Sequence, residues 1–315
     1  MNKSHILYLG PADLVEFVRG HLSDFVVEFA FNPEEVDAVI DKCVGVLDAS
    51  MRIRFDQNRI NRAMLLRVYA TATTGATHVD QTTLQSRGIQ LLTLQGQSDF
   101  LRNITPAAEL SWMLLMMCAR QVRPALQHVL DGKWDRTQFP GHMLNGRSIG
   151  IIGCGRIGQW MAQYANAFGM SVSGFDPGIK DWPKSIRRLE LDELLAQSDF
   201  LSLHVSFSES LRMMIDSEKI RQMKRGAIFI NTSRGELVDE QALITAIIEG
   251  RLGGLGVDVL TGEPEISNHP LIELARTHSN VVITPHIGGF SPDALSRVIE
   301  FSCQRLKLAL REVDK

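Results

Sequence analysis

The sequence is poor in cysteine, in net charge and in long apolar runs. Its four cysteines show neither CxxC spacing nor an obvious pairing, so we expect reduced thiols in a cytoplasmic protein and no metal site. A formal net charge of −3 over 315 residues argues against nucleic acid as a partner, because such binding needs a basic surface. The longest apolar run, residues 112–119, is far shorter than the ~20 residues that cross a bilayer, so no membrane partner is expected.

The chain instead carries short apolar runs that alternate with segments of helical periodicity, in two series. The first series comprises residues 6–9, 25–29, 44–47, 65–69 and 89–92. The second comprises residues 148–152, 171–175, 200–205, 227–231, 255–259 and 281–284. Such alternation is typical of parallel sheets covered by helices, and 315 residues correspond to about two domains. The sequence therefore predicts an α/β protein whose second series forms a doubly wound parallel sheet.

Two further segments indicate how the chain is organised. Residues 106–120 have the pattern of a strong helix, with Pro106 in its first turn. One face of this helix carries Leu110, Met113, Leu114 and Met117, a stripe that is typical of a core or a subunit interface. Residues 293–310 form an amphipathic pattern after the last strand, and we expect this helix to return to the domain of the first series.

A glycine-rich turn follows the first strand of the second series. Residues 153–158 read Gly-Cys-Gly-Arg-Ile-Gly and lead into a helical segment. Three glycines at this spacing allow a tight turn, close approach of the backbone to a pyrophosphate and close packing of helix on strand. The motif alone also occurs in ordinary turns, but between a strand and a helix it predicts a dinucleotide site at the helix N-terminus.

Asp176 supports this prediction and indicates which dinucleotide binds. It ends the next strand, 18 residues after Gly158, where a carboxylate can accept both ribose hydroxyls of NAD and would repel the extra phosphate of NADP. Gly178 and Ile179 follow Pro177, so no arginine is present there to bind that phosphate. An aspartate before proline is also a common turn residue. Taken with the glycine-rich turn, Asp176 predicts NAD as the cofactor.

Arg234, Glu263 and His286 each come shortly after one of the last three strands of the second series. Ligands of open α/β sheets collect outside the carboxyl ends of the strands, so we expect these side chains to approach one another. Arginine binds a carboxylate through two charge-assisted hydrogen bonds, and histidine can give a proton to a carbonyl oxygen or remove one from a hydroxyl. A glutamate beside the histidine would favour the imidazolium and fix the ring.

Each of these three residues also has an ordinary explanation. Arg234 could cap a helix or form an ion pair, Glu263 could be a solvated loop charge, and His286 could be a turn residue. Three such residues at successive strand ends, beside a dinucleotide motif, instead predict hydride transfer between NAD and a small 2-oxo or 2-hydroxy acid.

At these residues the chain resembles the D-isomer-specific 2-hydroxyacid dehydrogenase family over essentially its whole length. The matching stretches are residues 144–158, 231–239, 256–264 and 284–289. The resemblance implies a Rossmann NAD-binding domain, residues 104–286, inserted in a smaller flavodoxin-like substrate domain, residues 1–103 plus 287–315. It also implies a homodimer.

The resemblance further implies roles for individual residues. Arg234 would bind the substrate carboxylate, His286 would be the acid/base, and Glu263 would tune it. Thr74 and Gly75 would contact the substrate together with Arg234 and His286. The residues that would bind NAD are Thr74, Gly153, Gly155, Arg156, Ile157, Gly158, Asp176, Val205, Thr232, Ser233, Asp258, Gly288 and Gly289.

Within the family, residues 131–146 are similar to the 3-phosphoglycerate dehydrogenases, but other positions depart from that branch. The substrate loop usually starts Arg-Ala-Gly, whereas residues 71–75 read Thr-Ala-Thr-Thr-Gly. Ala49 stands where a second basic residue is common, and Ser206 stands where proline is usual. The substrate could therefore be phosphorylated or not.

Other basic residues leave that question open, and a second class of function also remains. Arg52, Arg54 and Arg102 could bind an anion in place of the missing arginine, or could be solvated surface charges. Because the same family contains transcriptional corepressors that resemble dehydrogenases, a non-enzymatic NAD(H)-sensing protein is the alternative to an enzyme.

Overall fold

The alternating pattern folds into two parallel sheets in the computed structural model, which describes residues 3–313. The strands are β1 (His5–Leu9), β2 (Val26–Phe29), β3 (Cys43–Asp48), β4 (Val68–Thr71), β5 (Gln90–Leu92), β6 (Ser148–Ile152), β7 (Ser171–Phe175), β8 (Arg187–Arg188), β9 (Phe200–Leu203), β10 (Ala227–Asn231), β11 (Leu252–Val257) and β12 (Val281–Ile283). The α-helices are α1 (Val15–His21), α2 (Pro33–Val39), α3 (Gln57–Arg62), α4 (Gln81–Ser86), α5 (Ser98–Leu101), α6 (Pro106–Ala119), α7 (Val122–Leu130), α8 (Arg156–Ala167), α9 (Leu191–Gln197), α10 (Ser217–Gln222), α11 (Glu240–Ile248), α12 (Pro270–Thr277) and α13 (Pro292–Val313). Contacts divide the chain into unit 1, Met1–Ile104 with Ser291–Lys315, and unit 2, Thr105–Phe290.

Unit 1 is built on a five-stranded sheet in the order β2-β1-β3-β4-β5, with every neighbouring pair parallel. This is the strand order of flavodoxin-like folds. Side chains of β1 alternate between two cores: Ile6 and Tyr8 contribute to one, Leu7 and Leu9 to the other. The C-terminal helix α13 belongs to the first of these cores through residues such as Leu306. Residues from both ends of the chain therefore complete unit 1.

Unit 2 is built on a seven-stranded parallel sheet in the order β12-β11-β10-β9-β6-β7-β8. The order reverses at β6, so the crevice between the carboxyl ends of β6 and β9 is the point at which such Rossmann sheets bind ligands. Both faces are covered: Ile228 and Ile230 of β10 lie in one core, and Phe229 lies in the other. Helix α6 packs on β10 and β11.

Local sequence signals explain where many helices begin. Asp56, Asp80, Asp216 and Asp239 each cap a helix by accepting a hydrogen bond from the backbone N–H three residues on. Proline occupies the first turn of α2, α6 and α12, where its missing N–H costs nothing. Within residues 3–313, no helix is both long enough and apolar enough to cross a membrane.

Two strands lie a few residues away from their predicted positions. The strand predicted at residues 65–69 begins later, at Val68 of β4, because Leu65 lies in a turn before the strand and is 54% exposed. The run 255–259 begins earlier, at Leu252, although glycines rarely favour strands. These glycines make room for neighbours, since a Cβ at Gly256 would lie only 2.7 Å from Ile230 Cδ1 and 3.1 Å from Leu114 Cβ of α6.

Candidate active site

The turn between β6 and α8 has the geometry that a dinucleotide requires. Gly153 has φ +91°, and a Cβ there would collide with the carbonyl of His204. A Cβ at Gly158 would collide with the carbonyl of Gly153, so the helix lies directly against the turn. Within the described part of the chain, no atom outside its two sequence neighbours lies within 4 Å of a Cβ built on Gly155, so the backbone there is open to a ligand. The turn and the first N–H groups of α8 fit the pyrophosphate of NAD.

The carboxylate of Asp176 lies beside this turn. Its Oδ2 accepts a hydrogen bond from Cys154 N at 2.9 Å, and its Oδ1 accepts one from Gly178 N, also at 2.9 Å. Both oxygens are thus held at the end of β7, next to the glycine-rich turn. Val205 lies on the other side of the turn, within 3.1 Å of the position of a Cβ on Gly153. These residues fit the predicted NAD site.

Arg234 is carried by a turn that a buried asparagine builds. Asn231, 2% exposed at the end of β10, donates from Nδ2 to Arg234 O at 2.9 Å and accepts from Ser233 N at 2.9 Å. Ser233 Oγ donates to the carbonyl of Leu203 at 2.8 Å. The Arg234 guanidinium itself donates to Ser233 O at 2.7 Å, and its other N–H donors have no partner among residues 3–313, so they can bind an anion.

The loop of Glu263 lies directly against the turn of Arg234. A Cβ on Gly235 would collide with the backbone of Leu260 and Thr261, so only glycine permits this approach. The loop is fixed from α11, because Thr261 N donates to Glu240 Oε1 at 3.0 Å. Strands β10, β11 and β12, which precede Arg234, Glu263 and His286, are consecutive neighbours in the sheet.

Glu263 and His286 form a direct pair. His286 Nδ1 lies 2.6 Å from Glu263 Oε1. A carboxylate can only accept, so Nδ1 carries the proton of this bond and Nε2 is left to exchange a proton with a ligand. The His286 side chain is 41% exposed, whereas that of Glu263 is 28% exposed. Glu263 thus holds the imidazole at Nδ1, and the His286 side chain is the accessible member of the pair.

The position of His286 depends on Asp258, which is 1% exposed. Asp258 Oδ1 accepts from Thr284 Oγ1 at 2.6 Å and from Ile287 N at 2.9 Å, and Oδ2 accepts from Gly288 N at 2.7 Å. Burial raises the pKa of the Asp258 carboxyl, although these hydrogen bonds and the charge of His286 oppose the rise. This anchoring of the His286 loop was not foreseen from the sequence, which assigned Asp258 to NAD.

His204, which lies near the glycine-rich turn, is unsuited to proton transfer. Burial lowers the pKa of His204 to about 3, so the ring is neutral at physiological pH. Its Nε2 lies 2.7 Å from Ser202 Oγ and its Nδ1 is buried. Of the two, His286 is the exposed one, and it is paired with a carboxylate.

The remaining predicted residues fall into two groups. Thr74 and Gly75 lie in unit 1, after β4, and all the others lie in unit 2. In unit 2, Thr232 Oγ1 lies 2.7 Å from Ser111 Oγ of α6, Arg156 and Ile157 begin α8, and Gly288 and Gly289 follow His286. In the part of the chain that the structure describes, no cluster of three metal-ligating side chains occurs.

Comparison with known proteins places this geometry in a family. A sequence model of the D-isomer specific 2-hydroxyacid dehydrogenase NAD-binding domain matches residues 112–288. The hydroxypyruvate reductase of Thermotoga maritima is 37% identical over 258 residues, which are 81% of each chain. The D-3-phosphoglycerate dehydrogenase of Rattus norvegicus is 34% identical over 84% of this chain, but the match spans only 48% of that enzyme.

A solved structure agrees over nearly the full length. The D-lactate dehydrogenase of Aquifex aeolicus, complexed with NAD and lactic acid, superimposes with a TM-score of 0.85 at 26% identity, covering 98% of this chain and 96% of that one. The fold, the NAD-type turn and these matches agree with one another. The chain belongs to the D-isomer-specific 2-hydroxyacid dehydrogenase family and is an NAD-dependent oxidoreductase.

Proposed function

We propose that Arg234, Glu263 and His286 are the residues with which this enzyme interconverts a D-2-hydroxy acid and its 2-oxo acid. The observation that carries the proposal is the 2.6 Å contact between His286 Nδ1 and Glu263 Oε1, at a strand end beside that of Arg234. An accessible imidazole held by a carboxylate is suited to moving one proton.

In the reduction direction, the Arg234 guanidinium binds the carboxylate of the 2-oxo acid and orients its carbonyl. The chemistry that NADH supplies when bound is transfer of a hydride to C2. His286 gives a proton from Nε2 to the carbonyl oxygen as negative charge develops there, and Glu263 stabilises the imidazolium beforehand. In the oxidation direction, His286 takes the hydroxyl proton.

Residues of unit 2 would hold the cofactor. The open backbone at Gly155 and the N-terminus of α8 would bind the pyrophosphate, and Asp176 would accept the ribose hydroxyls. We assign supporting contacts to the other residues that the family resemblance implies, among them Val205, Thr232 and Asp258. Thr74 and Gly75 of unit 1 would contact the substrate.

The Asp176→Ala variant tests the choice of cofactor. Removing the carboxylate also removes its repulsion of a 2′-phosphate, so the preference for NADH over NADPH should shrink by at least ~10-fold in kcat/KM. Asp192→Ala, an exposed carboxylate in the first turn of α9, is the matched control and should keep the wild-type preference. An Asp176→Ala enzyme that rejects NADPH as strongly as the wild type would refute the assignment.

Within unit 1, the basic residues favour an unphosphorylated substrate. The Arg52 guanidinium lies over the ring of Phe31, 5.8 Å from its centroid, and Arg102 forms an ion pair with Asp99 at 3.0 Å. Arg54 lines a recess of about 560 Å³ together with Asp56 and Asp80, whose charges oppose a phosphate. The relatives named as phosphoglycerate dehydrogenases keep the phosphorylated acid as the second candidate.

A screen of NADH oxidation with a panel of 2-oxo acids tests the proposed function. The panel includes glyoxylate, hydroxypyruvate, pyruvate and phosphohydroxypyruvate, and we expect turnover with an unphosphorylated acid. Tight NADH binding without reduction of any acid would instead support the NAD(H)-sensing alternative.

We further propose a cytoplasmic homodimer. Helix α7 buries none of its residues, and Leu126, Leu130 and Trp134 are 59%, 81% and 90% exposed. Apolar side chains grouped on one short stretch of chain indicate a surface that a second copy covers. Light scattering on the purified protein should therefore give a mass near twice 35.1 kDa.

A further inference from the structure

A completely buried carboxylate lies at the carboxyl end of β3, in unit 1. Asp48 is 0% exposed and accepts hydrogen bonds at both oxygens. Oδ1 accepts from Ser50 N at 2.8 Å, Ser50 Oγ at 3.2 Å and Met51 N at 3.0 Å. Oδ2 accepts from Tyr69 OH at 2.8 Å and from His78 Nε2 at 2.9 Å. The carboxylate thus joins the loop after β3, strand β4 and the loop after β4.

The hydrogen bonds keep this carboxylate ionised. Burial alone would raise the pKa of Asp48, but the hydrogen bond and charge of His78 and the N–H groups of Ser50 and Met51 lower it below the usual value. A buried charge persists only where its partners are held in place. His78 has a buried Nδ1 without a hydrogen-bond partner among residues 3–313, so Asp48 is the polar group that orients its ring.

The loop after β4 begins and ends at Asp48. Ala72 N donates to Asp48 O at 2.8 Å, and the His78 side chain returns to Asp48 Oδ2. Between these points Thr73 Oγ1 donates to Gly75 O at 2.7 Å, which gives the loop a fixed internal turn. Thr74 is exposed at its tip.

We propose that Asp48 is a positioning residue that, through His78, holds the loop 72–78 in the conformation that receives the substrate. The proposal rests on the proposed function, because Thr74 and Gly75 are among the residues proposed there to contact the substrate. A loop fixed in advance loses less conformational entropy when a ligand binds, so the tether should act on substrate affinity more than on turnover. None of the proposed catalytic residues Arg234, Glu263 and His286 is involved.

Two phenylalanine variants separate positioning from stability. Tyr69→Phe and His78→Phe each remove one donor from the same oxygen, Asp48 Oδ2, but only His78 belongs to the loop. We expect His78→Phe to raise KM for glyoxylate and hydroxypyruvate at least ~10-fold, with kcat within about threefold and the NADH dissociation constant unchanged. Tyr69→Phe should lose similar thermal stability and keep KM within about twofold.

Two additional measurements complete the test. His78→Gln restores a donor and should bring KM back towards the wild-type value. Hydrogen exchange of the amides in residues 72–78 should be faster in His78→Phe than in Tyr69→Phe. Equal KM in His78→Phe and wild type, or an equal rise in both phenylalanine variants, would overturn the positioning role. A wild-type enzyme that reduces no 2-oxo acid would instead overturn the proposed function.

Discussion

Replacing His286 with alanine is expected to lower kcat by at least ~100-fold while the dissociation constant of NADH changes little. The variant removes the proton donor whose Nδ1 is held 2.6 Å from Glu263 Oε1. The glycine-rich turn and Asp176, which are proposed to bind the pyrophosphate and ribose of NAD, are left unchanged. Absorbance at the NADH band gives kcat, and quenching or enhancement of NADH fluorescence gives the dissociation constant.

A surface histidine of the same unit provides the control. His278, which follows α12 and lies next to Thr277 Oγ1, should be replaceable by alanine with wild-type kcat. Glu263→Gln keeps an acceptor but loses the charge, so its kcat should fall between those of the wild type and His286→Ala. A His286→Ala enzyme with kcat within a few-fold of the wild type would remove His286 from the mechanism.

Arg234→Lys is expected to raise KM for the 2-oxo acid by roughly 30- to 100-fold. Lysine keeps the positive charge but cannot form two parallel hydrogen bonds to a carboxylate, and its ammonium would not reproduce the bond from the guanidinium to Ser233 O. Initial rates over a wide range of acid concentration at saturating NADH measure the effect.

The matched control is Arg276→Lys. Arg276 is an exposed residue of α12 that pairs with Glu273 three positions earlier, so its replacement should leave KM unchanged. A normal KM in Arg234→Lys would mean that another group binds the substrate carboxylate. The role proposed for Arg234 in the mechanism would then be wrong.

Periodicity in the sequence was sufficient to predict the parallel sheets, but not the faces of every helix. Apart from Glu109 and Ser111, helix α6 carries only apolar side chains, so a stripe of leucine and methionine does not identify its buried side. Met113 of the predicted stripe is 42% exposed, whereas Ser111 and Leu115 are buried. Leu114 and Cys118 of α6 face the glycines of β11, an arrangement that depends on contacts between distant segments and leaves no local pattern.

The candidate active site was likewise predictable only in part. Arg234, Glu263 and His286 could be found because each follows a strand, and strand ends converge in a parallel sheet. The residues that hold them could not, since the bonds from Asn231 and to Asp258 depend on main-chain turns that only the folded backbone defines. The role of Asp48 was missed because the sequence gives no sign that an acidic residue at the end of an apolar run is completely buried.

Unit 1 is built from two segments that lie on either side of unit 2 in the chain, so it can complete its fold only after unit 2 has been synthesised. Residues 105–290, which make up unit 2, leave the ribosome before α13, so unit 2 can collapse on its own contacts during translation. The first 104 residues cannot complete their core until α13 has been synthesised, because the core around Ile6 and Tyr8 includes α13 side chains, among them Ile299 and Leu306. In the nascent chain this sheet exposes the apolar surface that α13 later covers, and such surface favours chaperone binding until that helix is synthesised.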